Sequence, residues 1–289
     1  MWTWRCPQSA VCADVCRTRD EALRRLRELR EDLAAAARRQ QRRLLPAGTP
    51  PVAEAGLPSV TPNPRYERIA EHFGAIARTA RTCGCHVHVA VPDKETGTQV
   101  LGRIRPWLPA LLTVTANSAI ADGYDTGYRS WRDQQWSRWP SAGPPPRFAS
   151  LDEYESVVDA WLCSGAILDR GMVYWDVRLS EKQPTIEFRM ADVAATPQEA
   201  VLLGWRASRD GVIGSCPHPS SGDLAPTKTV LTDLVELASS ALEAAGDLEF
   251  AREAVTRLCA EGSGADRQRQ RFAERGRGED VVDLLAGTG

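Results

Sequence analysis

The sequence predicts an α+β domain in which a largely antiparallel sheet is flanked by helices. Two observations carry this. Three short runs alternate polar and apolar residues with the period of two that a half-buried strand requires. Around them lie longer stretches whose apolar residues recur at helical spacing. The strands do not alternate regularly with helices, as a doubly wound parallel fold needs, and no GxGxxG turn or Walker-type loop follows any of them.

Composition narrows the function classes. The 289 residues are 43% hydrophobic and 26% charged, with 36 basic against 38 acidic side chains and a net charge of −2. Such a chain can bury one large core, and it has no general electrostatic drive toward nucleic acid or an anionic membrane. No apolar run approaches the roughly 18 residues that span a bilayer. The first residues carry no leader-like pattern, so the sequence reads as cytoplasmic. The cysteines at 6, 12, 16, 83, 85, 163, 216 and 259 lack the spacing of a disulfide framework and read as reduced thiols. The expectation is a single domain over 1–289.

Each element has a local reason. Thr18 with Glu21 has the form of a capping box and opens a helix over 18–45, where Leu23, Leu26, Leu29 and Leu33 form a stripe. Its arginines alternate with acids, as on a solvated face. "PAGTPPVAEAGLPSVTPNP" is a loop, and Tyr66, Ile69, Phe73 and Ile76 restore helical spacing. In "CGCHVHVAV" the residues Cys83, Cys85, Val87, Val89 and Val91 face one way, and Gly84, His86, His88 and Ala90 the other. An apolar helix follows from Asp93, then a loop-rich segment whose Trp131, Trp136 and Trp139 read as packing groups, then a helix from Leu151. "GMVYWDVRLS" and "QPTIEFRMADV" are two further strands, and residues 205–289 read as helical.

The polar faces of the three strands carry the chemistry. Tyr174, Asp176 and Arg178 share one face; Thr185, Glu187 and Arg189 share another; His86 and His88 share the third. If those faces adjoin, carboxylate and imidazole can hold a divalent cation, while arginines clamp phosphate or carboxylate. The competing reading is ordinary cross-strand pairs and a hydrogen-bonded histidine. A zinc site of Cys83, Cys85, His86 and His88, with Cys12 and Cys16, is disfavoured because alternation puts the thiols opposite the imidazoles.

Taken together, "CGCHVHVAVPD", "IRPWLPALLTVTANS", "DTGYRSWRDQQWSRWPSAGPPPRF", "GAILDRGMVYWDVRLS" and "PTIEFRMADVAAT" resemble the glutamate–cysteine ligase type 2 family, over roughly residues 60–203. The resemblance implies a carboxylate–amine ligase that uses ATP and Mg²⁺. Such enzymes phosphorylate the γ-carboxyl of glutamate, and an amine such as that of cysteine then displaces phosphate. It implies a sheet of the glutamine synthetase catalytic type. A homodimer is a possible assembly, and the sequence does not fix the oligomeric state. The resemblance assigns Glu187 and His86 to metal, and His86 and Arg189 to nucleotide. Arg189 and His88 fall at catalytic positions, and Tyr174 and Arg178 at substrate-binding ones.

The chain also departs from that pattern. Family members begin with a strand of the form G-x-E-E-E-F, which these residues do not contain, and Ala10 stands roughly where another acid is expected. A helical segment expected between Leu203 and Trp205 is missing as well. These departures imply either weak ligase activity or an impaired remnant that binds small acids or nucleotide without turnover. A coding start further upstream would account for the first departure.

Overall fold

In the computed structural model, residues 15–53, 56, 60–195 and 214–287 are described. The central strand is β5 (Thr185–Phe188), which pairs antiparallel on one side with β1 (Val87–Ala90) and on the other with β4 (Val177–Leu179). The register sets His88 and Arg178 directly across from Glu187, and Val87 and Val177 across from Phe188. All three strand-like runs thus join one sheet, although each forms only three or four paired residues. The fold is α+β, mostly helical with small antiparallel sheets.

One face of this sheet makes the main core. Trp175, Val177, Leu179, Ile186 and Met190 pack with Leu101 of α4 (Lys94–Ile104) and with Tyr154 and Val158 of α7 (Leu151–Ser164). Trp175 is its centre, with ring centroids 4.9 Å from Trp161, 5.3 Å from Phe148 and 5.4 Å from Tyr154. Helix α4 can lie this close because of Gly97, where a Cβ would sit 2.6 Å from Leu179 Cδ2. Cys85, Val87 and Val91 pack on the same core, as alternation predicts. Val89, on the edge strand β1, departs from it at 46% exposure.

Other elements differ in extent from the sequence reading. Helix α1 (Arg19–Arg39) is capped by Thr18 Oγ1, which accepts from Glu21 N; the Glu21 carboxylate reaches back to Arg17 N. It ends before residue 45 because Gln41 turns to a φ of +54°. Its leucine stripe is only half-buried, and the helix is tied down by Arg30, which donates to the carbonyls of Ala194 and Ala195 at 2.5 and 2.8 Å. The expected apolar helix is broken by Pro106 and Pro109 into α4, a 3-10 turn over Arg105–Trp107, and α5 (Leu108–Thr115). The tryptophan-rich segment contains a short helix, α6 (Trp131–Trp136), capped by Ser130.

The C-terminal part is not helical throughout. A hairpin of β6 (Ser215–Pro217) and β7 (Leu224–Pro226) precedes α8 (Thr227–Leu237). Strands of three residues with prolines at their ends show no readable alternation. Cys216, Val230, Leu231 and Val235 join Ala251, Val255 and Leu258 of α10 (Leu248–Glu261) against Ala110 and Val114 of α5, forming a second core. Helix α5 therefore joins the two cores. The expectations for Cys12, Ala10 and the stretch between Leu203 and Trp205 lie outside the described residues. Among the described residues no helix is long and apolar enough to cross a membrane.

Trp175→Ala removes the largest side chain at the centre of the core and should destabilise the protein by about 3–5 kcal/mol. Urea unfolding followed by circular dichroism checks this; a change below about 1 kcal/mol would contradict the packing described.

Candidate active site

The outer face of the sheet carries two cross-strand rows. The first is Arg178–Glu187–His88, fixed by the register. The second is Asp176–Arg189–His86, one step further along each strand, where Arg189 N donates to Asp176 O at 2.7 Å. Beyond it the ladder shifts by a residue, with Gly84 bridging Asp192. Gly84 is needed there: a Cβ would lie 2.4 Å from the Arg132 guanidinium, which donates to the carbonyls of Met190 and Arg189 at 2.8 and 3.0 Å.

Glu187 is the hub of the first row. Arg178 Nε donates to its Oε2 at 2.8 Å, and Arg189 Nη1 donates to its Oε1. His86 Nδ1 lies 3.1 Å from the same Oε1, and His88 Nε2 lies 3.8 Å from it. Arg178 is fixed from behind, because its Nη1 also donates to the carbonyls of Arg170, Gly171 and Val173. The guanidiniums and the carboxylate are nearly buried, whereas the side chains of His86 and His88 are 39% and 38% exposed and form the rim. His88 is oriented by a 2.9 Å hydrogen bond between Nδ1 and Thr185 Oγ1.

The electrostatics follow from this placement. Burial opposes ionisation of Glu187, but the His86 hydrogen bond and the charges of Arg189 and Arg178 hold its carboxyl well below the usual carboxylate range. Burial, with Arg178 nearby, lowers Arg189 to about 10, so it stays cationic at neutral pH. Burial, aided by Arg189 and opposed by the Glu187 hydrogen bond, lowers His86, and its imidazole is neutral at pH 7. Two guanidiniums and one carboxylate leave the cluster with a net charge of +1.

Tyr174 walls the site rather than projecting into it. It is 8% exposed, with its ring 4.8 Å from Trp136, 5.3 Å from Trp139 and 5.9 Å from the Arg189 guanidinium. The two tryptophans are packing groups here, as the sequence reading has them. Arg65, at the start of α2 (Pro64–Phe73), stands on the other side of the Tyr174 hydroxyl, in a bidentate pair with Asp169 at 2.7 and 2.9 Å. Sequence reasoning missed both, since 104 residues separate them and neither lies on a strand.

Beneath the second row lies a buried charged layer that the sequence also hid. Arg132 faces Asp133, Asp176 and Asp192. Asp192 accepts from Asn117 N, Ser118 Oγ and Ser130 Oγ at 2.8, 2.6 and 2.8 Å, whereas Asp176 Oδ2 is buried without a partner. Burial pushes Asp133 up to about 8, with the charges of Asp176 and Asp192 adding to it. Burial pushes Asp176 up to about 7 against the pull of Arg132. Asp176 shares the polar face the sequence assigned it, but at 3% exposure it faces this layer rather than solvent.

The donor set does not fit a magnesium ion. Mg²⁺ takes octahedral oxygen ligands at about 2.0–2.1 Å, of which a protein supplies one or two carboxylates with free oxygens and water and substrate phosphates the rest. Both oxygens of Glu187 are taken by guanidiniums, and among the described residues no group of three or more His, Cys, Asp or Glu is arranged to hold an ion. The zinc alternative fails likewise: Cys85 packs into the core, where burial pushes its thiol up, on the face opposite His86 and His88.

The raised acids and the depressed one act on stability in opposite directions. An unfolded aspartate titrates near about 3.9. Asp133 and Asp176 titrate higher in the folded protein, so their contribution is full below about pH 4 and is lost as pH rises toward 7 and 8. The contribution of Glu187 is full above the unfolded glutamate range and is lost as pH falls. Asp133→Asn should therefore stabilise the protein at pH 8 relative to wild type by about 1–3 kcal/mol, and by much less at pH 5. Urea midpoints at the two pH values check this; an equal effect at both would refute it.

Residues 11–205 match the glutamate–cysteine ligase family 2. Three relatives carry the name glutamate–cysteine ligase 2-1, each marked in that name as a provisional assignment. The Rhodococcus jostii protein is 43% identical over 97% of this chain and 84% of its own length. The Nocardia farcinica protein is 44% identical over 91% and 76%, and that of Saccharopolyspora erythraea is 43% identical over 95% and 82%. With the three polar strand faces gathered into one site and this match across most of its length, the chain belongs to the glutamate–cysteine ligase family 2.

Proposed function

We propose that the protein is a carboxylate–amine ligase that joins the γ-carboxyl of glutamate to the amine of cysteine at the expense of ATP. The observation that carries this reading is the buried Arg178–Glu187–Arg189 cradle, net positive and rimmed by two imidazoles, in a chain of this family. A carboxylate is a poor electrophile and must be activated before an amine can attack it. In the proposed sequence a substrate carboxylate oxygen attacks the γ-phosphorus of ATP and ADP leaves. The amine nitrogen then attacks the acyl carbon, phosphate leaves with the bonding electron pair, and the ammonium gives up its proton.

The residues divide these tasks. Arg189 offsets the charge on the transferring phosphoryl group, where a preorganised cation is most effective. Arg178, locked by three carbonyls, holds the substrate carboxylate beside it. His88 is held at the exposed rim by its Nδ1–Thr185 Oγ1 hydrogen bond, and in the tautomer protonated at Nδ1 its Nε2 accepts the proton of the incoming amine. Neutral His86 contacts the nucleotide, and Tyr174 walls the substrate side.

A second reading is a remnant that binds a small acid or nucleotide without turnover. The magnesium-unfit donor set around Glu187 favours it.

The test is ADP and phosphate release from ATP on adding glutamate and cysteine, with mass spectrometry of the dipeptide. Arg189→Ala should lower kcat/KM by about 10²–10³. Release that ignores glutamate, or unchanged turnover in the variant, contradicts the ligase reading. Calorimetric binding of glutamate or ATP without any dipeptide selects the second reading.

A further inference from the structure

Arg178 takes its place from a turn outside the sheet. Its Nη1 donates to the carbonyls of Arg170, Gly171 and Val173 at 3.2, 3.1 and 2.9 Å. The carbonyls converge because residues 169–173 are tightly wound. Met172 N donates to Asp169 O, Val173 N donates to Arg170 O, and the Asp169 carboxylate accepts from the backbone N–H groups of Gly171 and Met172. That carboxylate is in turn held by the Arg65 fork at 2.7 and 2.9 Å. The turn closes directly over this pair, since a Cβ at Gly171 would lie 2.9 Å from Asp169 Oδ1 and 3.2 Å from Arg65 Nη2. The same guanidinium faces the Tyr174 hydroxyl, so Arg178 and Tyr174 are both reached from one ion pair. The side chains of Arg65 and Asp169 are 37% and 38% exposed, and a pair so exposed adds little to global stability. Arg170 pins the far side of the turn independently, through Glu155, Asp159 and Glu181. Losing the Arg65 fork therefore loosens the turn without unfolding it.

We propose that Arg65 and Asp169 are positioning residues, whose ion pair sets the 169–173 turn that orients Arg178 and thereby its grip on the carboxylate substrate. Neither side chain has to touch that substrate. For what Arg178 holds, the inference rests on the ligase reading; for how Arg178 is held, it rests on the turn alone. A guanidinium fastened at Nη1 by three carbonyls and at Nε by Glu187 is restrained from turning about its Nε–Cζ bond, so its Nη2 keeps one direction. Two substitutions disturb this geometry by different routes. Arg65→Lys keeps the charge but loses the fork. Gly171→Ala changes no charge but displaces the Asp169 carboxylate.

Heteronuclear NMR of the arginine guanidiniums on the full chain tests the grip without any ligand, with the Arg178 signals identified by their loss in Arg178→Lys. Both variants should speed rotation of the Arg178 guanidinium about tenfold, with little change in thermal midpoint. Steady-state kinetics test the consequence. Both variants should raise KM for glutamate about tenfold, with a much smaller effect on kcat and on KM for ATP. Rotation as slow as in wild type in both variants overturns the proposal. So does faster rotation with an unchanged KM for glutamate in an active enzyme, or an equal rise in KM for ATP. Equal acceleration at every held arginine, together with a fall in thermal midpoint, marks a purely structural pair and overturns it as well. If the wild-type chain makes no dipeptide, the ligase reading sinks and guanidinium rotation alone decides this inference, so the two fail separately.

Discussion

One buried carboxylate held between two guanidiniums organises the site. Glu187 lies on the central strand, Arg178 on one neighbour, and the histidines on the other, so the pairing of all three strands converges on its two oxygens. Removing one partner of such a cluster strands a buried charge, which costs about 3–5 kcal/mol. Shifting the register of either neighbour by one residue would do the same, because every side chain would change face. The hydrophobic core imposes the same register independently, since Val177, Leu179 and Ile186 must all turn inward. Packing and electrostatics therefore agree on a single alignment, and the site inherits its geometry from the core.

The layer below adds a second constraint. Arg132 binds the carbonyls of Arg189 and Met190, so it supports the strand at the point where Arg189 enters the site. Its charge is shared among Asp133, Asp176 and Asp192, more acid than one guanidinium can neutralise, and burial keeps part of that layer protonated near neutral pH. Net positive charge around Glu187 and surplus acid around Arg132 thus adjoin along the same polar face. The arrangement works only because Gly84 leaves room for Arg132, so the glycine in "CGCHVHV" serves an arginine 48 positions away.

Much of this was legible from alternation. His86, His88, Arg178, Glu187 and Arg189 were placed on polar faces by period two, and pairing of the strands joined those faces. What alternation could not supply was charge balance. Carboxylate and imidazole on adjacent strands read as metal ligands until Arg178 and Arg189 are seen to occupy both oxygens of that carboxylate. Arg65, Asp169, Arg132 and Asp192 were hidden for another reason. They sit in a helix start, a turn, a six-residue helix and an isolated bridge, where no period marks a face, and they meet partners far away in sequence. Tyr174 was placed on the right face, but only the surrounding tryptophans reveal that it is a wall.

The Glu-x-Arg spacing on β5 has a consequence of its own. Residues two apart on a strand share a face, so Glu187 and Arg189 neutralise one another within a single element. The sign of the site is then decided across the sheet, by whatever β4 places opposite Glu187. Here that residue is Arg178, and its three carbonyl contacts fix its charge in place instead of leaving it to a flexible side chain. A neutral residue at 178 would leave the pair balanced, and an acid would open the face to cations. The net charge of this row is thus set by one position on a neighbouring strand, and the Glu-x-Arg pair provides the frame on which it acts.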